Sequence, residues 1–376
     1  MKDISIYIHI PFCDHKCIYC DFYSLITLEN QELFLDSLKK EIDYYSSNYS
    51  SERNVKTIFF GGGTPSLMSV KYISQILENI NSNFTVDQNA EITLETNPGT
   101  VDKNKLENFK NIGINRLSIG IQSFHQDDLE FLTRIHDRKT AIDTVNNAAA
   151  IGFNDISIDL IFNLPKQTKK KWTENLYEAL SLPITHISTY SLILERGTIL
   201  NKMVLDGKAK IGDNDFDSDL YGSTIKILTG KGFEQYEVSN FCKPGFESKH
   251  NLNYWKYGDY LSFGPASHSF VNGKRWWNYS SLKHYINEVS ANGNAVRGFE
   301  NLSDKQKLEE YIMLAFRSKG IDLNEMFSIF GNSWYKNNFE KISKLFNNGF
   351  AQRSNGVLKL TSKGYAICDE IVLQLI

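Results

Sequence analysis

The sequence predicts an α/β protein built on a parallel sheet, followed by a smaller and largely helical C-terminal module. Three observations carry this. β-rich runs alternate with helical stretches at the spacing of βαβ units. There are six or seven such units, too few for a closed eight-unit barrel. After about residue 280 the alternation gives way to helices and one hairpin. A partial, open barrel and a doubly wound sheet both satisfy the count. The expected domains are 1–280 and 281–376.

The strand runs are SIYIHI (5–10), VKTIFF (55–60), EITLET (91–96), RLSIGI (116–121), ISIDLIF (156–162), HISTYSLI (186–193) and EQYEVS (234–239). Helical periodicity fills 30–46, 69–81, 138–151 and 169–180 between them. In the C-terminal module, Ser303 and Gln306 form a capping-box signature ahead of LEEYIMLAFR. A second helix fits 335–347, Asn355-Gly356 marks a hairpin turn, and 362–376 reads as helical. Helix, helix, hairpin, helix is a winged-helix-like order. Over 301–376, however, 10 Lys and Arg face 8 Asp and Glu, so the electrostatic footprint of a nucleic-acid binder is missing. A small accessory domain packed on the sheet is the favoured reading, and no nucleic-acid partner is expected.

Composition excludes several classes. The net charge is −3, which gives no polyanion-binding surface. No stretch approaches the ~20 apolar residues of a membrane-spanning helix. The opening MKDISIYIHIPFC lacks the apolar run of a signal peptide. A cytoplasmic protein with at most peripheral membrane contact is expected. In that compartment clustered cysteines are metal ligands or catalytic groups rather than disulfides.

Three of the five cysteines, Cys13, Cys17 and Cys20, fall in HIPFCDHKCIYCDF with C-x3-C-x2-C spacing. Cys242 and Cys368 stand alone and read as ordinary half-buried thiols. Structural zinc requires four protein ligands, commonly as two pairs, and no second C-x2-C exists. His9 or His15 could complete such a site. A thiol-redox site more often shows an isolated C-x-x-C. An iron–sulfur cluster held by three thiolates leaves one iron open for a ligand.

Further polar residues sit where barrel strands end, the face on which such folds carry their sites. The second run leads into Gly61-Gly62-Gly63-Thr64-Pro65, where absent side chains allow close approach of backbone to ligand. The third ends at Glu95, suited to ribose hydroxyls, and the fourth at Gln122. Arg134 follows, with a planar fork suited to a carboxylate. Asp159 lies on the fifth. Each alone reads as a surface or capping residue; at successive strand ends they form a site.

C-x3-C-x2-C just after a first strand resembles the signature of radical S-adenosylmethionine (SAM) enzymes. The segments YIHIPFC, FFGGGTPS, ETNPGT, NRLSIGIQSF, RIHD and DLIFNLPKQT resemble, more narrowly, the oxygen-independent coproporphyrinogen III oxidase family. Within it they resemble the HemW-type branch of radical SAM heme chaperones. The resemblance runs from about residue 4 to at least 270. It implies a partial (β/α)6 barrel and a 4Fe–4S cluster on Cys13, Cys17 and Cys20, with SAM on the open iron. It also implies SAM contacts at Tyr7, Gly62, Gly63, Thr64, Glu95, Gln122, Arg134 and Asp159. Tyr19 matches a position that touches a second SAM in the oxidase.

Three features separate the branches. Oxidases of the family carry a fourth cysteine where this chain has Phe22. They also carry an N-terminal extension for which the twelve residues ahead of Cys13 leave no room. Third, HNLNYW (250–255) resembles the HNxxYW motif of the chaperone branch. Its His250 and Tyr254 are chemically able to ligate heme iron. The bland readings are a hydrogen-bonded loop histidine and packed aromatics. The aromatic-dense 253–277 that follows suits apolar walls for a porphyrin. In FGPASHS, relatives have a further glycine near Pro265. The resemblance therefore implies binding of heme b and delivery to apo-hemoproteins such as respiratory enzymes, with an electron donor for the cluster. The alternatives are porphyrinogen oxidation and a radical SAM methyltransferase.

Overall fold

The computed structural model describes all residues 1–376. Six parallel strands come first: β1 (Lys2–Ile10), β2 (Arg53–Gly62), β3 (Thr85–Thr96), β4 (Arg116–Gln122), β5 (Asp155–Phe162) and β6 (His186–Ser191). They lie side by side in chain order. Helices Gln31–Tyr49, Val70–Asn83, Lys103–Asn111, Arg138–Ile151 and Lys169–Ser181 return the chain across one face.

Alternation along the strands explains the layering. In β1 the isoleucines Ile4, Ile6, Ile8 and Ile10 are fully buried toward the helices. The intervening Ser5, Tyr7 and His9 point to the other face and pair in register with Thr57, Phe59 and Gly61 of β2. The same face continues through Glu91 and Glu95, Arg116 and Ser118, Asp155 and Asp159, and His186 and Ser188. The inner face of the open barrel is thus largely polar and charged, a poor choice for packing alone.

The barrel stays open, and both free edges are covered rather than joined. Beyond β6 lie β8 (Asn240–Cys242), antiparallel to it, and β7 (Glu234–Gln235), antiparallel to β8. The seventh run therefore does not pair with the barrel: β8 lies between β6 and β7. It turns back because Glu237, at its centre, caps the chain reversal by accepting from the Ser239 N–H at 3.0 Å. At the other edge, β9 (Tyr260–Phe263) pairs parallel to β1. The antiparallel β10 (His268–Val271), β11 (Lys274–Asn278) and β12 (Val296–Asn301) extend the sheet to twelve strands. Such covering removes the exposed edges that invite aggregation.

Because β12 ends at Asn301, the boundary expected at 280/281 falls inside this sheet. The appendage proper begins at the Ser303 capping box, which forms as the sequence indicates. Two expected helices are broken: 335–347 at Asn338, and 362–376 at Ala366-Ile367. Asn338 sits between helices because its side chain donates to the Trp334 and Leu375 carbonyls. β14 (Ala351–Ser354) and β15 (Val357–Leu360) form the expected hairpin, joined by β13 (Ile321–Asp322). One continuous apolar core runs from Ile4 to Leu375, so the appendage is packed onto the barrel. No helix is long and apolar enough to cross a membrane.

Candidate functional site

The cysteine segment is a loop pinned at its base. Phe12 bridges Leu25, and Cys13 N donates to Leu25 O at 2.9 Å. Within the loop the Cys20 N–H donates to Cys17 O at 3.1 Å. Cys13, Cys17 and Cys20 are free thiols, half-buried, and line one cavity of about 380 Å³ at the C-terminal ends of β1–β6. They do not converge at single-ion distances. Ligands of three different irons in one cluster have no need to. Cys13 Sγ lies 3.2 Å from Thr64 Oγ1, and Arg134 Nη1 donates to Cys17 Sγ at 3.6 Å.

The glycine loop after β2 lies directly under this segment. Gly63 N donates to Ile10 O and Thr64 N to Phe12 O, both at 2.7 Å. A Cβ on Gly63 would sit 2.4 Å from Phe12 O, and one on Gly62 would sit 2.7 Å from the His9 ring. Gly62 also has a φ of +113°. The glycines are needed here for backbone packing beneath the cysteines as well as for lining the cavity.

Opposite stand Glu95 and Asp159. Burial raises the Glu95 carboxyl to about 8, helped by the neighbouring Asp159 charge. Burial likewise raises Asp159, against hydrogen bonds from Ser188 and Ser118. Glu95 accepts from the Gly62 N–H at 3.1 Å. Arg134 Nη2 donates to Asn97 Oδ1 at 2.8 Å and to Gly120 O at 2.6 Å. Its Nε is buried without a partner. That orphaned donor and the paired carboxylates fit a ligand with one carboxylate and a pair of ribose hydroxyls, which SAM is. Tyr19 and Gln122, the latter in the left-handed region at φ 71°, complete the wall.

The structure thus brings together every expected strand-end residue and the three cysteines. Tyr7 is the exception. Its side chain lies on the same inner face but lines a second, neighbouring cavity of about 650 Å³. Asp21 and Phe22 line both cavities, so the end of the cysteine loop is their common wall. Tyr254, Tyr257, Tyr260, Phe270 and Met313 give the second cavity an apolar, aromatic lining. Tyr254 packs edge-on to Tyr260, and Tyr257 lies 4.7 Å from Phe270, centroid to centroid.

His250 lies behind that wall, not in it. It is 1% exposed, with Nδ1 at 2.7 Å from Thr57 Oγ1 and Nε2 at 2.9 Å from Tyr254 Oη. Burial, then the Arg116 charge, lowers its pKa to about 3. Glu91 accepts from the Lys249 and His250 N–H groups and so anchors the helix Lys249–Trp255.

Sequence reasoning missed Asn97, Ser118 and Tyr190 in the first cavity and His268 in the second. Asn97 and Ser118 were findable. Asn97 follows Glu95 at a strand end, and Ser118 shares the inner-face alternation of Arg116 and Gly120.

Comparison with known proteins agrees with this geometry. The profile of the Radical SAM superfamily matches residues 7–176. The Heme chaperone HemW of Bacillus subtilis (strain 168) is 34% identical over 371 residues, 98% of this chain and 97% of that protein. The Heme chaperone HemW of Escherichia coli (strain K12) is 36% identical over 273 residues, 72% of this chain and 71% of its own. A mitochondrial radical S-adenosyl methionine domain-containing protein 1 of Danio rerio is 34% identical over 98% of this chain and 86% of its own. The solved coproporphyrinogen III oxidase (HemN) of Escherichia coli superposes with a TM-score of 0.85, covering 100% of this chain and 90% of that one. At 22% identity that likeness establishes the fold alone. On these curated relatives, each at least 30% identical and matched over more than two thirds of its length, this chain belongs to the HemW family of radical SAM proteins.

Proposed function

We propose that this protein is a heme carrier: it binds heme b beside a radical SAM centre and delivers it to apo-hemoproteins such as respiratory enzymes. One observation carries the reading. A cavity suited to a cluster and SAM shares a wall, Asp21 and Phe22, with an aromatic cavity large enough for a sizeable cofactor.

Cys13, Cys17 and Cys20 would hold the 4Fe–4S cluster as thiolates. When bound and reduced by an electron donor, the cluster supplies one electron for cleavage of SAM. Arg134 directs its guanidinium to the SAM carboxylate, with Asn97 and Gly120 O fixing the fork. Glu95 and Asp159 accept from ribose hydroxyls. Gly62, Gly63 and Thr64 supply backbone contacts, and Tyr19 and Gln122 exclude water. Tyr7 acts from the heme side, in the wall it shares with Tyr254. His250 and Tyr254 form part of that side, with Tyr254 facing the heme and His250 bracing it. The protein works in the cytoplasm, with at most peripheral membrane contact.

The test is anaerobic reconstitution of the cluster, titration with hemin, and mixing with an apo-hemoprotein while its regained activity is followed. Saturable binding and transfer are expected. Absence of saturable hemin binding overturns the carrier reading. A second arm supplies SAM, a reductant and coproporphyrinogen III. No protoporphyrinogen is expected, and robust turnover would instead make the protein an oxidase.

A further inference from the structure

We infer that His268, outside the HNxxYW segment, supplies the axial nitrogen ligand to the iron of heme in the second cavity. The inference rests on the carrier reading above. It follows from asking which donor atoms around this cavity are still free.

Three imidazoles lie near it. His9 has Nε2 at 2.9 Å from the Tyr23 carbonyl and Nδ1 at 3.3 Å from Tyr7 Oη. His250 is screened by Tyr254, and both of its nitrogens are engaged. His268 lines the cavity, is exposed, and makes no hydrogen bond or ion pair. It is nevertheless well placed as a ligand. It opens β10 opposite Trp277 of β11, and its ring stacks on that indole at 6.0 Å and 26°. The indole restrains the ring by packing, and both ring nitrogens stay unengaged.

The rival donor is the Tyr254 phenol. Thr57 Oγ1 donates to Ser5 Oγ at 2.8 Å, so it must accept from His250 Nδ1–H. His250 Nε2 is then the acceptor of the Tyr254 proton. To bind iron as phenolate, Tyr254 would have to pass that proton to a ring that burial keeps neutral. His268 has a lone pair to offer without breaking any bond.

The walls suit a flat macrocycle, and the anchoring is light. Arg275 also lines the cavity, but its two terminal nitrogens are taken by Glu300 at 2.8 Å and Glu310 at 2.6 Å. It offers no free fork to a propionate. A site held by one ligand and apolar contacts releases its cargo more readily than one clamped by arginines, as a carrier requires.

The experiment titrates hemin into the full-length protein and into H268A, H250A and Y254F, reading the Soret band and the electron paramagnetic resonance of the ferric complex. Wild type is expected to show a nitrogen-ligated spectrum. H268A should lose that signature and bind about tenfold more weakly. Added imidazole should restore the signature. H250A and Y254F, which alter the cavity wall, should bind more weakly but keep the nitrogen-ligated signature. If H268A does not fold by circular dichroism, H268Q carries the same reading. A His268 variant that retains the wild-type spectrum and affinity overturns the ligand assignment and leaves heme binding intact. Failure of the wild type to bind hemin saturably overturns the carrier reading, and this inference with it.

Discussion

Replacing Gly63 with alanine tests whether the glycine loop holds the cysteine segment in shape. The added Cβ would lie 2.4 Å from Phe12 O and 3.1 Å from Ile10 O, both backbone atoms that cannot swing aside. Relief requires the loop and the chain entering Cys13 to part. Parting weakens the Gly63 N to Ile10 O and Thr64 N to Phe12 O hydrogen bonds. Overpacking costs about 1–3 kcal/mol, and each weakened bond adds about 0.5–1.5 kcal/mol. A total loss of about 2–6 kcal/mol is expected, concentrated at the cluster loop. Gly222 is the internal control. It lies exposed in the helix Asn214–Thr229 with nothing within 4 Å of its would-be Cβ, so G222A should gain about 0.5–1 kcal/mol. The assay is thermal unfolding of both variants, followed by anaerobic reconstitution with iron and sulfide quantified per chain. G63A should melt earlier and retain less iron, while G222A retains the wild-type amount. Wild-type melting and iron content in G63A would refute the packing argument.

Other consequences are equally specific. Ala266 adopts φ 60°, in the left-handed region; A266G should stabilise by about 0.5–1 kcal/mol in chemical denaturation. Arg116 is 2% exposed, with Nε 3.5 Å from Asp155. R116M would leave Glu91, Asp155 and Asp159 uncompensated and cost about 3–5 kcal/mol by the same measurement. Glu41 is buried, accepts from Tyr285, Asn278 and Gly264, and is raised by burial to about 7. Its folded value exceeds its unfolded one, so its stabilising effect is full below the unfolded value and fades as pH rises through the folded value. Gln does not titrate. The E41Q-minus-wild-type stability difference should therefore move in favour of Gln by up to about 3 kcal/mol between about pH 5 and pH 8. A pH-independent difference would contradict the burial argument.

The barrel was legible because its signal is periodic and local. The six parallel strands each carry an apolar alternation long enough to read, and the Asp137, Thr168 and Ser69 N-caps bond as helix-starting residues do. The site was legible because strand ends collect it. The sheet edges were not. β7, β8 and β13 have two or three residues, too few for any period to register. The hairpin of β10 and β11 did leave a signal, Asn272-Gly273 with both φ values positive, but its aromatic flanks read as pocket walls. Tyr7 illustrates another limit. Its place on β1 was correct, yet which of two cavities it faces depends on β9, a strand 253 residues further along that pairs Ser262 with Tyr7.

The HNxxYW segment sharpens what a motif of ligand-type residues can mean. Histidine and tyrosine four residues apart on a helix face one another, which makes them neighbours before it makes them ligands. Here the neighbours bond to each other, and Thr57 and Ser5 fix the direction of every proton in the chain. Glu91 then binds the backbone of the same helix from the inner face of the barrel, beside Arg116 and on the same strand face as Glu95. The segment is therefore tied to the radical SAM side through the strand β3 and presents only the Tyr254 ring to the second cavity. Such a buttress sets the shape of the cavity wall. An iron ligand needs a lone pair that nothing else is using, and His268 is the imidazole lining that cavity that has one.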